Sequence, residues 1–165
     1  MRVYQALKFA EEKHKGQKRR ISQEPYITHP LKVSYLLASY KKSKQINDLI
    51  IASILHDTLE DTNTSIEEIT EKFGELVSSL VVELTSNNKE MKKHENKNEY
   101  LKQKMLNMSS YALTIKLADR LANITDKPKP AYLEDTKKLI SYLESNRELN
   151  ATQKLIIIDM KKELN

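Results

Sequence analysis

An all-α fold is what this sequence predicts, and two observations carry it. The 165-residue chain holds only two glycines and four prolines, which leaves few places to turn. Its long runs repeat apolar residues at helical rather than strand spacing. The length fits one domain over residues 1–165, enough to close a core around a cleft.

The elements follow in order. From Val3 to about Lys15, apolar Val3, Ala6, Leu7 and Ala10 fall at helical spacing, and Gly16 breaks the helix. His14, near its end, reads as a structural residue. Gln17 to Pro25 forms a basic loop, and His29 stands just before Pro30, where a proline suits a first helical position. Leu31 to Tyr40 makes a second helix with Val33, Leu36 and Leu37 turned inwards. Ile46 to Asp57 is a third, and its Leu49–Leu55 stretch is apolar nearly all round, which predicts a central buried helix holding His56 and Asp57 rigidly at its end.

After a turn, Thr64 can cap against Glu67, or Ser65 against Glu68, in capping-box fashion. That helix should end near Phe73-Gly74, and Glu75 to Thr85 continues with Leu76, Val77, Leu80, Val81 and Leu84 as core. Asn87 to Asn98 is the most polar tract and predicts a mobile surface connection with a solvated His94; a substrate lid is the alternative. Helices resume at Glu99–Asn107 and Tyr111–Ile124, Lys127-Pro128-Lys129-Pro130 is a stiff break, and Ala131–Ser145 and Leu149–Leu164 close the chain. Leu155-Ile156-Ile157-Ile158 is either core or the seam of a homo-oligomer.

With no cysteine, neither a disulfide framework nor a thiolate metal site is available. The N-terminus lacks a signal-peptide pattern and no apolar run approaches the ~20 residues of a membrane span, so a cytoplasmic protein without membrane contact is expected. Lys+Arg of 28 against Asp+Glu of 23 gives a net charge of +5, which suits nucleic acid or an anionic small molecule. The lysines are scattered and no aromatic alternates with them to build a stacking platform, so a small nucleotide ranks above a nucleic acid polymer.

Chemistry concentrates in Leu55-His56-Asp57-Thr58-Leu59-Glu60-Asp61, where an apolar helix turns acidic. On a continuous helix His56 and Glu60 are four apart, as are Asp57 and Asp61, so all four project over adjoining rows. A neutral imidazole beside carboxylates suits manganese, iron or zinc; the plainer reading is a helix turn with solvated acids and a capping histidine. Adjacent helical residues point about 100° apart, so His56 and Asp57 can share an ion only with ligands from elsewhere. His29 upstream and Asp119 downstream supply them, Asn123 lying four residues beyond Asp119. The set His29, His56, Asp57 and Asp119 offers two nitrogens and two carboxylates, leaving room for water and substrate.

The order His29 … His56-Asp57 … Asp119 resembles the HD superfamily of metal-dependent phosphohydrolases. The segments His14–Arg20, Glu24–Pro30, Leu55–Thr62 and Lys116–Asn123 look like the alarmone hydrolase domain of the RelA/SpoT proteins, and the shortness of the chain is similar to the small stand-alone hydrolases, the metazoan SpoT homologues among them. The resemblance runs from about residue 4 to Asp126. It implies a helical bundle of roughly eight to ten helices around a single metal-binding cleft. It also implies one divalent ion, manganese, on His29, His56, Asp57 and Asp119, and hydrolysis of (p)ppGpp at the 3′-pyrophosphate to GDP or GTP and pyrophosphate.

By the same resemblance Glu60 and Asp61 match the acidic pair that positions or deprotonates the attacking water. Asn123 orients ribose or phosphate. Arg19 and Arg20, otherwise solvated loop charges, hold base and phosphates, with Lys116 or Arg120 as further helpers. The chain departs from the family pattern in several places. Arg20 stands for a lysine, one extra residue lies between Arg20 and Glu24, Ala122 replaces a histidine or aromatic, and Thr125 replaces an arginine.

Three readings stay open: an alarmone hydrolase, an HD hydrolase of another nucleotide such as (p)ppApp or NADPH, and an inactive nucleotide-binding sensor. The intact Glu60-Asp61 pair argues against the sensor. The length beyond residue 126 is too short for a synthetase segment, so a bifunctional enzyme is not expected.

Overall fold

A computed structural model describes residues 1–165. The chain is all-α, with nine helices of eight residues or more and two four-residue turns of helix. Its extended pairing is limited to one isolated bridge between Lys18 and Pro25. Two compact units divide it, Met1–Thr85 and Ser86–Asn165.

The first unit contains α1 (Arg2–Lys13), α2 (Thr28–Tyr40), α3 (Ile46–Leu55), α4 (Thr58–Asp61), α5 (Ile66–Phe73) and α6 (Glu75–Leu84). Helix α3 is its centre and packs against α1, α2 and α6. The physical reason is the one expected: Leu49, Ile51, Ala52, Ile54 and Leu55 are apolar on nearly every side and all are buried. Helix α1 ends at Lys13, short of the expected Lys15, and Gly16 follows in the turn beyond it with a φ of +81°, a backbone state costly for residues with a Cβ.

Several boundaries differ from expectation for local reasons. Helix α2 begins at Thr28, not at Leu31, which makes Pro30 its third residue. The first four N–H groups of a helix have no partner inside it, so proline costs nothing there. Helix α3 stops at Leu55 instead of running to Asp57. Ser65, not Thr64, caps α5, its hydroxyl accepting from the Glu68 N–H at 3.2 Å. The Thr64 hydroxyl is engaged with Thr62 at 2.7 Å. Leu76, expected in the core, is 39% exposed. Val77, Leu80, Val81 and Leu84 define the buried face of α6, and Leu76 falls about 100° away from Val77.

The second unit contains α7 (Asn88–Met91), α8 (Lys97–Asn107), α9 (Ser110–Ile124), α10 (Pro130–Asn146) and α11 (Ala151–Glu163). Helix α9 packs on α11, and α8 on α10. Eleven of the fifteen residues of α9 are buried, Asp119 and Arg120 among them. The polar tract Asn87–Asn98 is more ordered than expected because its asparagines cap helices: Asn87 opens α7 and Asn96 opens α8. Asn150 and Gln153 form a capping box at α11, and Gln153, buried, donates to the Ser110 carbonyl at 3.0 Å. In α11, Ile156 and Ile157 are core while Leu155 and Ile158 lie half exposed on the outer face.

Candidate metal centre

The chemistry-bearing residues of the first unit gather at the break between α3 and α4. His56 terminates α3, Asp57 stands in a helical but displaced turn, and α4 then restarts the helix. Hydroxyl side chains bond carbonyls on both sides of the break. The Ser53 hydroxyl donates to Ile50 O at 2.7 Å, Thr58 to Leu55 O at 2.7 Å, and Thr62 to Thr58 O at 2.6 Å. Asp57 remains one turn from Asp61, whose N–H donates to the Asp57 carbonyl at 2.9 Å. His56 belongs to a different helix axis, so the expected single pair of rows becomes two short ones.

That break sets the state of His56. Its Nδ1 lies 2.8 Å from the Ser53 carbonyl, which can only accept, so Nδ1 carries the proton and Nε2 presents a lone pair. Nε2 sits 3.0 Å from Asp57 Oδ2, a second acceptor. With a neutral ring, a bound cation would relieve that meeting of lone pairs; with a protonated ring the same two atoms make an ion pair. The separation also matches neighbouring ligands around a small divalent ion with bonds of about 2.1 Å. The His29 ring, carried on the first turn of α2, is 5.4 Å from the His56 ring, and both are buried. Two buried imidazoles and a carboxylate without a thiol form a donor set that fits a divalent metal ion.

Tyr26, to which no role was expected, ties the acids together. Its hydroxyl donates to Asp57 Oδ2 and lies 3.4 Å from Asp61 Oδ2. The Tyr26 ring stacks on buried His14, with centroids 4.6 Å apart. His14 Nδ1 in turn meets Gln17 Oε1 at 2.7 Å, and Gln17 Nε2 donates to the Asp61 carbonyl at 2.9 Å. A ring of contacts from His14 through Gln17, Asp61 and Tyr26 thus brackets the acidic turn. The sequence signal was the tyrosine three residues before His29, inside a turn that delivers both.

The loop before α2 is pinned by backbone bonds from Arg19 N to Glu24 O at 2.8 Å and from Tyr26 N to Gln17 O at 3.0 Å. Arg19 is thereby placed with its guanidinium 5.8 Å from the Tyr26 ring centre, while Arg20 is exposed. Glu60 and Asp61 both reach the surface. Burial first, then the neighbouring charges of Asp57 and Glu60, push the Asp61 carboxyl above its ordinary range, and His14 opposes them.

A raised folded-state value means that stability held below the unfolded pKa is lost as pH rises through the folded one. The ionised Asp61 therefore destabilises the metal-stripped protein at neutral pH. Asp61→Asn is expected to raise its Tm there, with the gain vanishing at pH below the usual carboxylate range. Thermal scans across pH check this, and a gain independent of pH would contradict it.

In the second unit, α9 carries Asp119 and Asn123 one turn apart. Asp119 is buried, accepts from Asn123 Nδ2 at 2.7 Å and pairs with Lys116 Nζ at 2.9 Å. His29, His56 and Asp119 are all buried, and each offers a ligand atom of the kind a divalent ion takes. Arg120 is turned inwards, donating to Thr136 Oγ1 at 2.8 Å beside the Tyr132 ring. Ala122 is fully buried and Thr125 is exposed.

An all-helical chain with paired imidazoles and carboxylates at a helix break is the build of a metal-dependent hydrolase, and the profile of the HD domain matches residues 6–141. The chain belongs to the HD domain family. It is 41% identical over 140 residues to a protein of Aquifex aeolicus named guanosine-3′,5′-bis(diphosphate) 3′-pyrophosphohydrolase, covering 84% of this chain and 19% of that protein. It is 40% identical over 125 residues to MESH1 of Xenopus tropicalis, which carries the same enzyme name, covering 75% of this chain and 68% of MESH1. The chain thus spans about a fifth of the long bacterial relative and two thirds of the short one. Among solved structures, a metazoan orthologue of SpoT described as hydrolysing ppGpp superposes with a TM-score of 0.78 at 26% identity, covering 98% of this chain and 94% of that one. No helix is long and apolar enough to cross a membrane.

Proposed function

We propose that this chain is a manganese-dependent 3′-pyrophosphohydrolase of guanosine bis-diphosphate alarmones, releasing pyrophosphate and leaving GDP or GTP. The observation that carries this reading is the acidic turn held by Tyr26 beside a metal-type donor set, in a chain 40% identical to MESH1. The residues act as one HD-type domain over 1–165, consistent with a family match that runs from 6 to 141. A nucleotide substrate of this kind places the protein in the cytoplasm.

His29, His56, Asp57 and Asp119 would hold one divalent ion, which would supply Lewis-acid polarisation of a phosphoryl oxygen and a more acidic water. Tyr26 fixes the Asp57 carboxylate, with one oxygen accepting its hydroxyl proton. Glu60 and Asp61 orient the attacking water and take its proton. Burial and the neighbouring charges of Asp57 and Glu60 raise the Asp61 carboxyl, which makes it a better proton acceptor than a solvated aspartate. The water oxygen bonds to phosphorus as the bond from phosphorus to the 3′ oxygen breaks, the proton taken from the water passes to the 3′ oxygen, and pyrophosphate departs. Asn123, held at Asp119, donates to ribose or phosphate, and Arg19 and Arg20 hold base and phosphates.

Tyr26→Phe should weaken manganese binding about 10–100-fold, the usual effect of losing a group that orients a ligand. Unchanged affinity by metal titration would remove Tyr26 from this role. The activity itself is tested by incubating metal-stripped protein with the guanosine and adenosine alarmones and NADPH, with and without manganese, and resolving the products by ion exchange. Manganese-dependent pyrophosphate from the guanosine alarmone is expected. Orthophosphate from NADPH alone would assign another substrate, and binding without product would make the chain a sensor.

A further inference from the structure

The second unit encloses a cavity of about 220 Å³ bounded by the start of α8, by α9 and by α10. Asn96, Asn98, Lys102, Arg120, Asp135 and Lys138 line it. Lys102 is paired with Glu99 at 2.6 Å, so those two charges cancel locally. Arg120, Asp135 and Lys138 face the same space, and none of the three has an opposite charge within the 4.0 Å of an ion pair.

Arg120 is the most informative of these groups. It is only 6% exposed, yet the partners of its guanidinium are one hydroxyl, on Thr136 at 2.8 Å, and the Tyr132 ring at 4.9 Å. A guanidinium has five N–H donors, and a buried cation without a counter-charge is costly. None of its nitrogens is both sealed and unbonded, so the remaining donors open on the cavity. Asn96 adds another donor. Its Oδ1 is occupied by the N–H groups of Asn98 and Glu99 at 2.9 and 3.1 Å, which leaves its Nδ2 available.

We propose that this cavity is a binding site for a protonated phosphate group of orthophosphate size, with Arg120 and Lys138 on its charged oxygens and Asp135 accepting its P–OH proton. Size and chemistry both select this ligand. The volume lies below the roughly 300–1,000 Å³ of sites for drug-sized molecules and equals the share of about seven waters, which suits a single phosphate group. An ionised carboxylate only accepts hydrogen bonds. Asp135 therefore repels sulfate, which brings no proton at neutral pH, and accepts from a hydrogen phosphate. The proposal goes beyond the hydrolase reading and does not depend on it.

The test uses the full-length, metal-stripped, 15N-labelled chain titrated at neutral pH with sodium phosphate and, at matched ionic strength, sodium sulfate. Saturable shifts of the Asn96 and Asn98 side-chain amides are expected with phosphate, at an affinity about tenfold or more above that for sulfate, the scale of one charged hydrogen bond. Asp135→Asn should raise sulfate affinity to near that of phosphate, a gain that a misfolded variant cannot produce. Lys138→Gln should weaken phosphate binding with the rest of the spectrum preserved. Equal, non-saturating responses to both salts would overturn the site, as would saturable shifts confined to Arg19 and Arg20.

Discussion

Asp57→Ala is expected to remove both bound metal and turnover. Asp57 Oδ2 stands 3.0 Å from His56 Nε2 and accepts the Tyr26 hydroxyl, so on the proposed function its loss would delete a ligand and release the residue that orients it. Loss of an outer-shell partner alone costs about 10–100-fold in metal affinity, and a direct ligand should cost more than 100-fold. Metal analysis after gel filtration, with turnover on the guanosine alarmone, checks both parts. An Asp57→Ala protein that retained stoichiometric metal would exclude Asp57 as a ligand.

Glu60→Gln is expected to separate chemistry from binding. Glu60 lies on α4, three residues beyond Asp57, and reaches the surface, so the amide keeps the shape and removes only the base. A positioned base contributes about 10²–10⁴-fold to rate, and kcat should fall on that scale while metal content and KM stay near the parent values. Full activity in Glu60→Gln would leave Asp61 as the sole base, a role its raised carboxyl favours. Loss of metal in that variant would instead mean that Glu60 helps to hold the ion.

Much of this framework was legible because apolar periodicity is a direct record of burial. Leu49 to Leu55 announced α3 as a central helix, and every residue of that stretch except Ile50 is fully buried. The order of His29, His56-Asp57 and Asp119 was legible through resemblance, and the HD domain match covers all four. What escaped were features set by local competition for hydrogen bonds. The run from Ile46 reads helical through Asp57, but the Thr58 hydroxyl bonds the Leu55 carbonyl at the end of α3, and the chain breaks at His56. Thr64 and Ser65 offer equivalent caps until Thr62 engages one of them. The bracket of His14, Gln17 and Tyr26 is a tertiary contact between a helix end, a loop and a turn, and no single-window pattern records it. Arg120 reads as a surface helper by its neighbours in sequence, and only the packing of α10 shows it turned towards Thr136.

The central claim, one divalent ion serving one 3′-pyrophosphohydrolase site, is tested most directly by titrating the metal-stripped protein with manganese while following pyrophosphate release from the guanosine alarmone. Activity should rise linearly and level off at one equivalent of manganese per chain, from no turnover in its absence. Turnover by the metal-free protein, or a plateau reached only at two equivalents, would contradict the account.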